Sequence, residues 1–251
     1  MKKCIVTLGM AFLGLGIVQA QDTEEQPKPK KKNWSTVNVG ERANDHFMFQ
    51  FGYDGWVSRP DSIRTTGIGR HLNIYLMLDK PFKTDPRFSV GLGVGIGSSN
   101  IFFDKTYVDL KGSINPGQVT FRDVRDADHF DKYKLTTVWA EAPIELRYIS
   151  NPLRSDRSWK VAIGVKVGTM ISAHTKGKDL QNKDGQTLHG PKYIMKEKDR
   201  KHMSNLRLAP TIRMGYGNFT IYSAYQISAL FRDAQGPNVR PFSVGMTISG
   251  L

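Results

Sequence analysis

From residue 45 onward the chain repeats one device: apolar residues alternate with polar or small ones along a segment, a break follows, and the alternation resumes. In "FMFQFGYDGW" the odd positions Phe47, Phe49, Phe51 and Tyr53 are apolar, while Gln50, Gly52 and Asp54 hold even ones. In "HLNIYLMLDKPF" Leu72, Ile74, Leu76, Leu78 and Phe82 are apolar, against His71, Asn73 and Asp79. "FSVGLGVGIG" sets Phe88, Val90, Leu92, Val94 and Ile96 on one face, and Ser89, Gly91, Gly93, Gly95 and Gly97 on the other. The same rhythm occupies 136–148, 161–171, 206–216, 219–231 and 242–251. A period of two over such lengths specifies strands, because a helix would repeat every 3.6 residues. The pattern predicts eight strands and no helix of useful length. The glycines lie in mid-strand as GxGxGxG, without the strand–turn–helix context that a dinucleotide-binding loop needs. They mark a strand face kept bare so that something else has room.

Eight alternating strands close into a barrel in either of two ways. A soluble barrel, of the lipocalin type, has its apolar faces inside; a membrane barrel has them outside. Two features favour the second. The polar face mixes glycine and alanine with Glu141, Glu145, Arg147, Lys166, Arg207 and Arg213, and a narrow lumen needs such small residues beside long charged ones. The aromatic residues Phe47, Phe82, Phe88, Tyr148, Trp159, Tyr216 and Phe219 all lie on the apolar face, at one end of the array when the chain is drawn up and down. That is the girdle of a membrane barrel. A looser set, Tyr53, Phe102, Phe231 and Phe242, marks the opposite rim. Short connections ("KTDP", "NPLRSDRS", "GN") alternate with long ones at 58–70, 99–133, 173–203 and 232–241, as periplasmic turns alternate with outer loops. The expectation is an all-β fold, an eight-stranded antiparallel up-and-down transmembrane β-barrel over 45–251. Pro143 and Pro210 fall inside strands, where a closed barrel has no free edge, so local bulges are expected there.

The chain's start refines this picture. Lys2 and Lys3, an uncharged run from Ile5 to Val18, and the "VQA" ending at Ala20, with small residues at its two critical positions, form the pattern of a cleaved secretory signal over 1–20. The run is too short for a spanning helix, which needs roughly 20 residues. Residues 21–44 are polar, with a "KPKKK" run and no apolar periodicity, and read as a flexible periplasmic lead-in. Cys4, the only cysteine, lies within the signal, so disulfides, cysteine–zinc sites and cysteine nucleophiles are excluded from the mature chain. The formal net charge of +13 becomes +11 once Lys2 and Lys3 are removed. Export and the lack of any recognition motif argue against nucleic acid as the partner.

At "WAEAPIELRYIS" (139–150), followed by "WKVAIGVKVGTMISAHTKGK" (159–178), the chain resembles the PorT-like outer-membrane β-barrel family of Bacteroidota. "YQISALF" and "RPFSVGMTISGL" are similar to that family's last two strands. The resemblance implies a barrel in the outer membrane of a Gram-negative cell, with a structural, binding or envelope-assembly role. It also implies, as an alternative, a part in a type IX-like protein secretion machine with other envelope proteins as partners. It brings no catalytic residues and no cofactor.

Candidate chemistry is sparse. The lumen charges read as a packed salt-bridge plug or as a proton or ion relay; buried charges need partners, which favours the plug. Glu141 lies seven residues from Tyr148 and Lys166 seven from Trp159, so these two are expected to meet. An outer-leaflet lipid-modifying enzyme would need a serine or aspartate with a histidine. Among His46, His71, His129, His174, His189 and His202, only His71 and His174 are placed to reach the outer mouth. The carboxylates of "DVRDADHFDK" lack the ordered spacing of a calcium loop. In the third long loop Lys176, Lys178, Lys183, Lys192, Lys196, Lys198, Arg200 and Lys201 outnumber the acids two to one. Lipopolysaccharide phosphates among the outer-membrane lipids suit this run as counter-charge; a solvated surface suits it equally.

Overall fold

The computed structural model describes residues 47–249. The expected signal, the lead-in, and the barrel's outermost positions at 45–46 and 250–251 lie outside the described residues. Eight strands form a closed antiparallel barrel: β1 (Phe47–Val57), β2 (Arg70–Pro81), β3 (Phe88–Phe103), β6 (His129–Ile149), β7 (Trp159–Gln181), β9 (Leu206–Tyr216), β10 (Phe219–Tyr225) and β11 (Arg240–Ser249). Each pairs with the next, and β11 returns to β1 with Phe51 opposite Met246, so the edge is abolished. Three short strands lie within the long connections: β4 (Thr106–Asp109), β5 (Thr120–Asp123) and β8 (Ile194–Lys198).

The alternation fixes which face is which. Leu72, Leu76, Leu78, Leu92, Val94 and Ile96 point outward and are exposed, as are Ile212, Met214 and Ile221; Leu78 and Ile221 reach 66%. The intervening polar positions are buried inside. Gly91, Gly93, Gly95 and Gly97 line the interior as the pattern predicts: a Cβ there would meet the Arg147 guanidinium, Met77 Sδ, the Tyr75 ring, and the Asn73 and Glu141 side chains respectively.

Four details differ from the sequence expectation. β6 and β7 run for 21 and 23 residues, far past the barrel, and with β8 they form a three-stranded blade at the long-loop end. β10 ends at Tyr225 rather than 231, because Leu230 and Phe231 turn into an apolar cap instead of continuing the strand. That cap joins Ile63, Phe103, Leu110, Val119, Tyr133, Trp139 and Met203 and seals the barrel's upper end. Phe231 is therefore a core residue, not part of an outer rim.

The prolines also need no bulge. At Pro143 the β6–β7 register is unbroken, and the β3–β6 ladder lacks the pairs of Pro143 with Gly93 and of Ala142 with Val94, so the missing N–H falls on the β3 side. Pro210 falls just past the last β9–β10 pair, Thr211 with Ala224, and beyond it the Ile227 N–H still donates to the Leu208 carbonyl in the same register. Among the described residues the one register shift lies elsewhere, between Val138 and Trp139, with Ile171 the extra residue of β7.

Candidate functional site: the charged barrel interior

β1, β2, β6, β7, β9 and β11 aim their polar parity at one another across the lumen. Nearest the short turns, Glu145 takes Arg147 Nε at 2.8 Å and Arg213 Nη2 at 2.9 Å. Arg147 also reaches Asp79 at 3.4 Å, and Ser89 donates to the same carboxylate at 2.7 Å. Higher up, Arg207 Nη1 donates to Glu141 Oε1 at 2.6 Å, and the Tyr75 hydroxyl bonds the other oxygen. Lys166 donates to Gln50 Oε1 at 2.7 Å and lies over the rings of Tyr75 and Tyr222, 5.3 and 5.1 Å from their centroids. Gln50 continues to Thr247 at 3.2 Å. At the top of the charged zone Asp54 accepts from Ser99 and from Ser243, and stands 2.7 Å from His71 Nδ1. The Tyr222 hydroxyl meets His71 Nε2. Arg207 lies 5.6 Å from the Trp139 ring centroid, and there the polar zone gives way to the apolar cap.

All six lumen charges expected from the sequence are buried in this network, but their pairing differs. Glu141 pairs with Arg207, and Lys166 with Gln50. The depth count fails because it sets Tyr148 level with Trp159, whereas the turn between β6 and β7 places Tyr148 opposite Val161 and Ser150 beside Trp159. Glu141 therefore faces Gly168, and Gly168 faces Arg207 on the next strand. Parity alone places Asp54, His71 and Asp79 on the polar face. Tyr75 and Tyr222 escape a search for charges: they are aromatic residues in the polar parity, and that mismatch is the signal that marks them. Buried carboxylates Asp54, Asp79, Glu141 and Glu145 face buried cations Arg147, Lys160, Lys166, Arg207 and Arg213. The cavities beside Arg207 and between Arg147 and Arg213 measure about 10 and 20 Å³, one water apiece at most. This interior is filled.

The girdle residues sit together at the short-turn end. Phe88 and Tyr148 lie 5.1 Å apart between ring centroids, Trp159 and Tyr216 5.7 Å apart, and Phe219 faces Tyr216 across the hairpin. Tyr148 is half-buried and the other six are exposed. On the opposite rim Tyr53 packs edge-on to Phe242, and Phe102 receives Arg70 and Lys134 over its ring.

The histidines do not converge. His71 is buried in the Asp54–Tyr222 chain, His174 lies on the outward side of the blade, His129 bonds the Ala127 carbonyl, His202 bonds Gln235, and His189 packs tilted against Tyr193. His46 is outside the described residues. Among the described residues no three of His, Cys, Asp and Glu stand close enough to hold a metal ion, and Asp123 is paired with Arg125 instead. Of the basic loop, Lys176, Lys178, Lys196 and Lys198 lie on paired strands, Lys183 and Lys192 in the connection between them, and Lys201 in an exposed turn; Arg200 donates to the Met170 carbonyl at 2.6 Å.

No protein-family model matches this chain, and no curated protein matches it.

Proposed function

We propose that this protein is an outer-membrane β-barrel of a Gram-negative cell, closed inside, with a structural, binding or envelope-assembly role rather than an enzymatic one. The observation that carries the reading is the inversion of its faces. Leucine, isoleucine, valine and phenylalanine cover the outside of the barrel, while the charged side chains fill the inside. Soluble monomers rarely expose apolar patches beyond a few hundred Å², and lipid is the solvent that suits such a band. The girdle supports the same reading, since aromatic rings at one rim favour the headgroup region. The packed salt-bridge network supports an anchor in preference to a solute pore, and the short-turn end is the periplasmic one. The His71–Asp54 pair supports no hydrolytic site, because Tyr222 occupies the imidazole's second nitrogen inside the filled lumen.

A part in a secretion machine is the second reading. It rests on the PorT-like resemblance, and one feature favours it: an open, mainly apolar cleft of about 440 Å³ between the β4–β5 hairpin and the blade, lined by Tyr107, Phe130, Tyr133 and Met195, with room for a partner's side chains. Pull-down from outer membranes separates the two readings by whether envelope proteins come with it.

Cell fractionation tests the main proposal. The mature chain is expected in the outer membrane, resistant to high-salt extraction, with different gel migration before and after boiling. Recovery in the soluble periplasm without detergent overturns it.

A further inference from the structure

The blade has one packed face and one bare one. Its inner face, carrying Tyr133, Thr175 and Glu197, is covered by the β4–β5 hairpin: the Tyr133 hydroxyl donates to the Val108 carbonyl at 3.1 Å, and the Tyr107 hydroxyl donates to Glu197 at 3.0 Å. The outer face presents lysines in register across three strands. Lys134 is opposite Lys176, and Lys176 is opposite Lys196; Lys132 is opposite Lys178; His174 is opposite Lys198. Like charges directly opposite in a sheet are destabilising. Among the described residues none of these six lysines makes an ion pair; Lys134 donates one hydrogen bond, to Asn100 Oδ1 at 2.7 Å, and Glu197 points to the other face.

The bulge at Ile171 creates this array. Below it the even positions of β7, Lys160, Lys166 and Gly168 among them, face the lumen; above it Ala173, Thr175 and Gly177 are buried, and His174, Lys176 and Lys178 face outward. Without the extra residue Lys176 and Lys178 would point into the cap, since a shift of one residue exchanges the faces of a strand. The array also has a defined height. On β2, Arg70 has the same outward parity as Leu72 and Ile74; on β3, Phe102 has that of Val94 and Ile96; on β6, Lys132 and Lys134 have that of Ile144 and Leu146. The cations therefore begin where the apolar band ends, with Arg70 and Lys134 flanking Phe102, each 5.8 Å from its ring centroid. Mutual repulsion registers in the side chains themselves. Burial, then Lys176 and Arg70, hold Lys134 below its ordinary pKa; burial, then Lys196, Lys134, Lys198 and Lys176, do the same to His174.

We infer that the outward face of the blade is a docking surface for phosphate-bearing lipid headgroups, seated at the upper border of the apolar band and bridging Lys134, Lys176 and Lys196. Strand spacing of about 4.7–5.5 Å sets neighbouring ammonium groups within reach of one phosphate monoester. The inference rests on the outer-membrane reading and deepens it. The occupant is a membrane lipid because the cations continue the surface that faces lipid below them.

The test uses the full mature chain, as wild type, as K134Q/K176Q/K196Q, and as K183Q/K192Q/K201Q, which removes equal charge from outside the array. All three are first folded into phosphatidylcholine vesicles and assayed for boiling-dependent migration. Failure of wild type to insert overturns the membrane reading, whatever the binding results. Binding is then measured in zwitterionic detergent to bisphosphorylated lipid A, to dephosphorylated lipid A, and to inorganic phosphate. Wild type is expected to bind the bisphosphorylated lipid in a salt-dependent way. At roughly fivefold per surface lysine, the array variant should bind about a hundredfold more weakly, with the control variant much less affected. The array variant should also unfold at a higher temperature than lipid-free wild type, because its repulsion is relieved. Equal lipid binding by the array variant and wild type overturns the inference. So does an equal loss in the control variant, which means total charge alone, or full competition by equimolar inorganic phosphate, which means a small-anion site.

Discussion

At Gly95 the interior depends on a side chain that is not there. A Cβ at this position would strike the Ile74 carbonyl oxygen and the Tyr75 ring, whereas at Gly93 it would strike chiefly the flexible Met77 thioether, with the Leu76 carbonyl oxygen at 2.9 Å. Gly93→Leu should therefore cost about 1–3 kcal/mol as ordinary overpacking. Gly95→Leu should cost more, and urea unfolding in vesicles ranks the two. The charges divide in the same local way. Glu141→Gln or Arg207→Met alone leaves a buried partner without its counter-charge, a loss of about 3–5 kcal/mol each. The double variant should lose much less than the sum of the two. A cycle between Glu141 and Lys166 should show weaker coupling, because Lys166 bonds Gln50 instead. The sequence shows through parity that these residues face inward. It does not show who meets whom, since that depends on where a turn closes, and at Asn151–Ser158 a two-residue difference moves Glu141 from Lys166 to Arg207.

β7 carries two parities in one strand. Its lower part is legible in the sequence, because Trp159, Val161, Ile163, Val165 and Val167 alternate cleanly with the inward residues. The upper part is not, because Ile171 and Ser172 interrupt the alternation and the lysines beyond resemble a solvated loop. Only the pairing with β6 and β8 holds them as strand. Deleting Ile171 should turn Lys176 and Lys178 toward Tyr133 and Leu135 and expose Ala173 and Thr175. The barrel below should still migrate as a folded species, while limited proteolysis should cut within 172–201 much faster than in wild type. Unchanged proteolysis would show that the bulge does not set the blade's register. β10 is the converse: alternation continues past Tyr225, yet Leu230 and Phe231 gain more from the apolar cap than from extending a ladder. Tertiary burial overrides the local period there, and no window of sequence contains that competition.

The described residues form three zones along the barrel axis: a girdled end with short turns, a barrel with apolar skin and charged filling, and an apolar cap bearing the basic blade. The first two are legible because they follow from period two and from where aromatic residues recur. The cap is not, since its residues come from four separate connections as well as from the upper ends of β3, β6 and β7, and no single connection has a periodic signal. Whether the outward parity faces lipid is decided at Leu92, which lies on the exposed apolar face of β3. The described residues contain no cysteine, so one thiol can be introduced into them at a time. An environment-sensitive fluorophore on Leu92→Cys, with the folded protein in vesicles, should be quenched strongly by lipids carrying a nitroxide in mid-chain and hardly at all by aqueous iodide. The same label on Lys183→Cys should show the reverse. Iodide quenching at Leu92 without lipid quenching would contradict the account, since it would mean that the apolar face of this barrel stands in water.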